Sequence, residues 1–294
     1  MLKFPAALRP GDLVAVVAPS GPLPRDDFWR GLAWVRDRYR VKMSSGVLDR
    51  VGYLAGDDAR RRAELEAALE DPEVKGIIAG RGGYGAMRLL DGLPWMHAGR
   101  DPRWLVGFSD VTALHVASAE AGVASIHGPN VTGLGRASPI DRAAWLQALE
   151  RPSAEVHWTG LEVLCDGAAR GVACGGNLAL LDAMAAARRL SLPAGGILFV
   201  EDVDERPYRV DRMLTSLRLG GHLAKLGAVV LGGFTRCAPG KDGVTVEHVL
   251  VDRTHDLGIP VLRGARFGHG EDNRAFILGR EAVVAGGEVL FPGC

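Results

Sequence analysis

Short, uninterrupted apolar runs alternate with helical stripes along this chain, the pattern of strands covered on both faces by helices. Residues 12–18 (DLVAVVA), Val74 to Ala79, Trp104 to Phe108 and Val123 to Ile126 read as buried strands in the first half. The first run ends in Pro19-Ser20-Gly21-Pro22, a turn and helix entry. The stretch ARRRAELEAALED places Leu65, Ala68 and Leu69 on one helical stripe, with Asp57 or Asp58 as N-cap and Asp71-Pro72 as its stop. A glycine cluster then opens a helix over about Ala86 to Leu90. In the second half, Gly176-Asn177 leads into the helix LALLDAMAAARRL, and a strand from Gly196 to Val200 ends at Glu201-Asp202. Pro207 suits the first turn of the helix PYRVDRMLTSLRL. A strand at Ala228 to Leu231 and a helix at Val246 to His255 follow. Short runs at Val261 to Leu262, Ala275 to Leu278, Ala282 to Val284 and Glu288 to Phe291 predict a mixed sheet, partly barrel-like at its end.

Residues 135–170 carry weaker signals and the polar stretch Arg151-Pro152-Ser153. The pattern therefore predicts an N-terminal α/β domain over 1–150, a linker over 151–170 and a C-terminal domain over 171–294. A length of 294 residues suits two domains or one large one. Apolar residues at 47% and charged residues at 24% are ordinary for a globular chain with a sizeable core. Lys plus Arg and Asp plus Glu both total 35, so no basic excess points to nucleic acid or an anionic membrane. No segment approaches a membrane span, and the N-terminal apolar stretch lacks the pattern of a signal peptide. Cys165, Cys174, Cys237 and Cys294 are scattered, as suits reduced thiols. A cytoplasmic location is expected.

The run RWLVGFSDVTALH concentrates the chemistry. Ser109 stands at the carboxyl end of a strand, on the turn into a helix, where open α/β sheets bind ligands and hydrolases place a nucleophile. Its commoner role would be a helix N-cap. The G-x-S-x-G pattern is half present, with Gly107 before the serine and Val111 after it. Gly80 to Gly85 matches G-x-G-x-x-G between a strand and a helix, the context of a dinucleotide site. It does not follow the first strand, however, and lacks the acidic residue expected at the end of the next one. A glycine turn turning backbone amides toward a cleft explains it as well.

Acyl transfer needs a hydroxyl, an imidazole base, a carboxylate to orient it and amides for the oxyanion. Of eight histidines, His97, His115, His157, His222, His248 and His255 suit structural or solvent roles. His127 and His269 both sit in glycine-flanked loops, and spacing alone leaves both open. Glu201 ends an apolar strand, where it could orient an imidazole, cap a helix or form a salt bridge. No H-E-x-x-H motif or zinc-like Cys/His spacing is present.

The segments VAVVAPSGP, GYLAGDDARR, DPEVKGIIAGRGGYGAMRLLD, LVGFSDVTALH, GGNLALLDAM, LFVEDVDERPYRVDRML and GARFGHGEDN span nearly the whole chain. In them the chain resembles the LD-carboxypeptidases, serine peptidases that share a family with the microcin C self-immunity proteins. The resemblance implies a flavodoxin-like or glutamine-amidotransferase-like N-terminal domain with a parallel sheet, and a smaller, swivelling, β-rich α/β C-terminal domain. It implies a Ser-Glu-His triad at Ser109, Glu201 and His269, meeting in the cleft between the domains. Phe108 stands where the family more often has tyrosine. The oxyanion would be met by the backbone N–H groups of Asp110 and Gly83, and Arg81 is the candidate for the substrate's terminal carboxylate. The implied reaction is hydrolysis of an amide bond between an L-centre and a C-terminal D-residue, as in murein tetrapeptides. No metal, cofactor or nucleic acid is expected, and the expected state is a homodimer acting on a small peptide. An immunity-type peptidase acting on a peptidyl-nucleotide antibiotic is the alternative within the family, although 294 residues leave little room for an additional substrate loop. From another class, the glycine loop could serve a nucleotide-binding or noncatalytic cleft-binding protein.

Overall fold

The computed structural model describes residues 2–293; Cys294 lies outside them. Its contacts divide the chain into two units. One runs to Pro152 and includes Arg274–Gly279; the other comprises Ser153–Asn273 and the residues from Arg280 onward.

The first unit runs β1 (Leu13–Val17), α1 (Arg25–Arg36), β2 (Arg40–Met43), α2 (Asp58–Glu70), β3 (Val74–Ala79), a 3-10 turn (Ala86–Leu89) and α3 (Trp95–Arg100). It continues with β4 (Trp104–Gly107), a second 3-10 turn (Ser109–Val111), α4 (Thr112–Glu120), β5 (Ser125–His127), α5 (Val131–Leu134) and α6 (Pro139–Glu150). The strands pair in parallel in the order β2-β1-β3-β4-β5. That is the doubly wound, flavodoxin-like order, in which ligands bind beyond the carboxyl ends of the strands. Helices on both faces explain the unbroken apolar runs. Val14, Val16, Ile78, Val106 and Ile126 pack with Phe28, Leu32 and Trp145 in one core.

The second unit contains β6 (Val156–Trp158), β7 (Glu162–Cys165), β8 (Ala168–Asn177), α7 (Leu178–Ala186), β9 (Ile197–Val203), α8 (Pro207–Leu219), β10 (Ala228–Thr235), α9 (Val246–Thr254) and β11 (Val261–Arg263). After β12 (Phe276–Leu278) the unit resumes with β13 (Glu281–Ala285) and β14 (Glu288–Phe291). Its sheet, in the order β6-β14-β13-β8-β9-β10-β11-β7, is parallel from β8 through β11 and antiparallel on both flanks. The protein is thus a mixed α/β protein of two sheets.

Three sequence expectations change. The strand at 275–278 does not join the second sheet: β12 pairs antiparallel with β5, Phe276 opposite His127, and closes an otherwise open edge of the first sheet. The helix expected over Ala86 to Leu90 is a single 3-10 turn. The weak stretch 135–170 is regular structure, holding α6, β6, β7 and the start of β8. Its helix had a readable start, because the Ser138 side chain caps it by accepting from the Asp141 amide at 3.1 Å. Strands β6 and β7 are the edges of their sheet, with only Trp158 of their residues buried, so they lack the apolar alternation that marks a half-buried strand.

Candidate functional site

The turn after β4 decides how Ser109 is used. Its backbone sits at φ +64°, one of four non-glycine residues with positive φ among those described. An N-cap residue has extended backbone, so Ser109 caps nothing. A left-handed serine between a strand and a helix is strained by roughly 1–2 kcal/mol, and its side chain is thrown clear of the sheet as in a nucleophile elbow. The surroundings hold it there. The Gly107 carbonyl accepts from the Gly128 amide at 3.1 Å and from His115 Nε2 at 3.0 Å. His115 is fully buried, and burial pushes its imidazole down to about 4, so it is a neutral donor at physiological pH. On the next residue, the buried Asp110 carboxylate accepts from the Ala86 amide at 2.8 Å. Its burial raises the carboxyl above its ordinary value.

Three loops meet at this turn because β1, β3 and β4 are neighbours in the sheet. The Gly21 amide donates to the Gly82 carbonyl at 3.1 Å. A Cβ on Gly82 would lie 2.7 Å from Ser109 Cβ and 2.9 Å from its Oγ, so only glycine lets the β3 loop approach the serine. Gly83 follows at φ +116°. Arg61, buried on α2, anchors the loop by donating to the carbonyls of Pro19 and Gly85 (the latter at 3.0 Å) and to the Asp58 carboxylate. Arg81 donates from Nη1 to the Pro22 carbonyl at 2.9 Å and is partly exposed. This geometry removes the dinucleotide reading of the glycine loop. The element after it is one 3-10 turn, and its first free amide is already taken by the Asp110 carboxyl, leaving it unavailable to a pyrophosphate.

Of the two histidines left open by spacing, the structure bonds one to a carboxylate and buries the other among aromatic rings. His127 is wholly buried; its ring stacks on Phe276 at 5.1 Å and lies 6.0 Å from Phe108. His269 lies in the second unit with about a fifth of its side chain exposed, and its Nδ1 is 2.7 Å from Glu201 Oε2. The carboxylate, fully buried on β9 two residues before its end, fixes the tautomer with the proton on Nδ1 and leaves Nε2 as the acceptor. Asn177 at the end of β8 donates to Glu201 Oε1 at 3.3 Å and to Asp202 Oδ1 at 3.0 Å. Asp202, pushed up to about 6 by burial, accepts from the Ala179 amide at the start of α7.

The loop carrying His269 is pinned on both sides of the ring. Phe267 packs between Trp158 and Phe199 and against Gly232, where a Cβ would come within 2.7 Å of its ring. Gly268, at φ +111°, would drive a Cβ to 2.6 Å from Glu201 Oε2, and its amide donates to Asn273 Oδ1 at 3.1 Å. Sequence reading missed Arg61, Asn177 and Asp202. Arg61 had a signal: it falls on the helical stripe of Leu65, Ala68 and Leu69, the buried face of α2. Asn177 and Asp202 had none, because their partnership joins two strands distant in sequence.

A left-handed serine on a strand-to-helix turn, and an imidazole held by a buried carboxylate, are parts from which acyl-transfer hydrolases are built. The chain belongs to the LD-carboxypeptidase family: the model of the family's N-terminal domain matches residues 14–128, and that of its C-terminal domain residues 170–284. A relative from Synechocystis sp., named provisionally as a carboxypeptidase, is 40% identical over 96% of this chain and 94% of its own. The murein tetrapeptide carboxypeptidase of Pseudomonas aeruginosa is 36% identical, covering 93% of each chain. The crystal structure of muramoyltetrapeptide carboxypeptidase from Oxalobacter formigenes superposes with a TM-score of 0.85 at 32% identity, over 95% of this chain and 97% of that one. Among the described residues, no helix is long and apolar enough to cross a membrane.

Proposed function

We propose that this protein is a serine LD-carboxypeptidase that removes a C-terminal D-residue from a murein tetrapeptide. The observation that carries the reading is the left-handed Ser109 against Gly82, which has no structural use as a cap and the geometry of a presented nucleophile. The bonded pair His269–Glu201 and relatives named for murein peptides support it.

Ser109 Oγ attacks the carbonyl carbon of the bond between the L-centre and the terminal D-residue. His269 Nε2 takes the hydroxyl proton, while Glu201 holds Nδ1–H and stabilises the imidazolium. The backbone N–H groups of Asp110 and Gly83 receive the oxyanion, each donor being worth roughly 3–4 kcal/mol of barrier. As the tetrahedral intermediate collapses, the C–N bond breaks and His269 gives its proton to the departing amine of the D-residue. Water, deprotonated by the same imidazole, then hydrolyses the Ser109 ester and releases the tripeptide. The scheme requires His269 Nε2 to reach Ser109 Oγ during attack.

Arg81 is assigned to the terminal carboxylate. A C-terminal amide lacks that charge, and a charge-assisted contact is worth about 1.5–3 kcal/mol. The amidated tetrapeptide should therefore be cleaved at least ten-fold less efficiently than the acid, on that same scale. Equal kcat/KM for acid and amide, measured by chromatography of the products, would remove the carboxypeptidase reading in favour of an endopeptidase or amidase.

A further inference from the structure

A cavity of about 500 Å³ opens in the first unit beside the nucleophile turn, between the Gly21–Pro24 turn after β1 and the β3 glycine loop. Arg50 and Tyr53, from the segment ahead of α2, face Arg81, Gly83 and Tyr84 across it. Among the described residues, no carboxylate lines it. Arg50 and Arg81 each place one donor on a backbone carbonyl, Gly52 at 3.0 Å and Pro22 at 2.9 Å. Among the described residues, neither guanidinium pairs with a carboxylate. Other arginines of the chain, Arg38, Arg170, Arg218 and Arg263 among them, pair with acids. A guanidinium has five N–H donors, so most of those in the cavity are uncommitted. Tyr53 and Tyr84 meet edge to face with ring centroids 5.6 Å apart, yet remain 66% and 53% exposed. They form an exposed aromatic wall of the cavity.

We infer that this cavity is a carboxylate subsite of the substrate site, in which Arg50 is a specificity-determining residue alongside Arg81 and the two tyrosines flank the bound chain. Two uncommitted guanidiniums without an acid between them select an anion, and the planar fork suits a carboxylate. Gly83, shared between the cavity wall and the loop that touches Ser109, places the bound anion next to the reacting centre. The inference rests on the carboxypeptidase reading for the identity of the ligand. With Arg81 assigned to the terminal carboxylate, Arg50 meets either that same group or the carboxylate of an acidic residue on the acyl side of the scissile bond.

The test compares wild type with Arg50→Gln and Arg50→Lys on three tetrapeptides: the free acid, its C-terminal amide, and a peptide amidated at the internal carboxylate. On the free acid, Arg50→Gln should raise KM at least ten-fold and leave kcat nearly unchanged, while Arg50→Lys should recover part of the loss. The peptide whose amidation abolishes the Arg50→Gln effect identifies the carboxylate that occupies the cavity. An unchanged KM in Arg50→Gln, or an effect that persists with both amides, would overturn the inference. Binding is read separately by calorimetry in a Ser109→Ala background, where adding Arg50→Gln should weaken the free-acid tetrapeptide at least ten-fold. That arm needs no turnover. Wild type that binds through Arg50 but releases no D-residue would refute the proposed reaction and leave the subsite standing; equal binding with and without Arg50 would refute the subsite.

Discussion

Alanine at Ser109, His269 or Glu201 should each lower kcat on the order of 10⁴-fold or more, with the folded protein intact, because in the proposed mechanism the three act as one unit. The double variant Ser109→Ala/His269→Ala should be no slower than the slower single variant. His269 and Glu201 are joined at 2.7 Å, so Glu201→Gln, which can present its amide in place of the acceptor oxygen, should also be severely impaired. Steady-state rates with circular dichroism as a folding control check these outcomes. A His269→Ala protein turning over at near wild-type rates would show that the base lies elsewhere.

The second large effect is steric and separates placement from chemistry. A methyl group at Gly82 would lie 2.7 Å from Ser109 Cβ, and one at Gly268 2.6 Å from Glu201 Oε2. Neither position touches a proton in flight, but each shifts a group whose location the reaction depends on, and a displacement of about 1 Å can cost on the order of 100-fold. Gly82→Ala and Gly268→Ala should therefore lose at least that much in kcat. Gly268→Ala carries an added penalty from its left-handed backbone. Gly243 is the control: it too has positive φ, with nothing within 4 Å of the added methyl. Gly243→Ala should cost some stability and no activity. Equal activity losses at Gly243 and Gly268 would mean that backbone strain, not crowding, is responsible at Gly268.

The parallel core was legible because strands buried on both faces announce themselves as unbroken apolar runs; β3 was read to the residue. Helices with an N-terminal signal, such as α2 behind Asp57 and α8 behind Pro207, were legible for the same local reasons. What failed was assignment between distant segments. The 275–278 run reads as a strand in any setting, and only the free edge of β5 tells it which sheet to join. Strands β6 and β7 were invisible because exposed edge strands need no apolar face. At the site, the residue types and their loop positions could be read. The backbone sign at Ser109 could not: nothing in GFSD distinguishes a capping serine at negative φ from a presented one at φ +64°. The choice of His269 over His127 rested on family resemblance, because glycine flanks both rings. The structure separates them by burial, setting one among aromatic rings and bonding the other to a carboxylate.

The central claim is hydrolysis at an L–D junction by a carboxypeptidase, and stereochemistry tests it most directly. Purified protein should be offered a murein tetrapeptide ending in D-alanine and the diastereomer ending in L-alanine, with released alanine and residual peptide followed by mass spectrometry. The account expects D-alanine and the tripeptide from the first, no trimming beyond the tripeptide, and negligible release from the second. Equal release from both peptides, or release from neither, would contradict it.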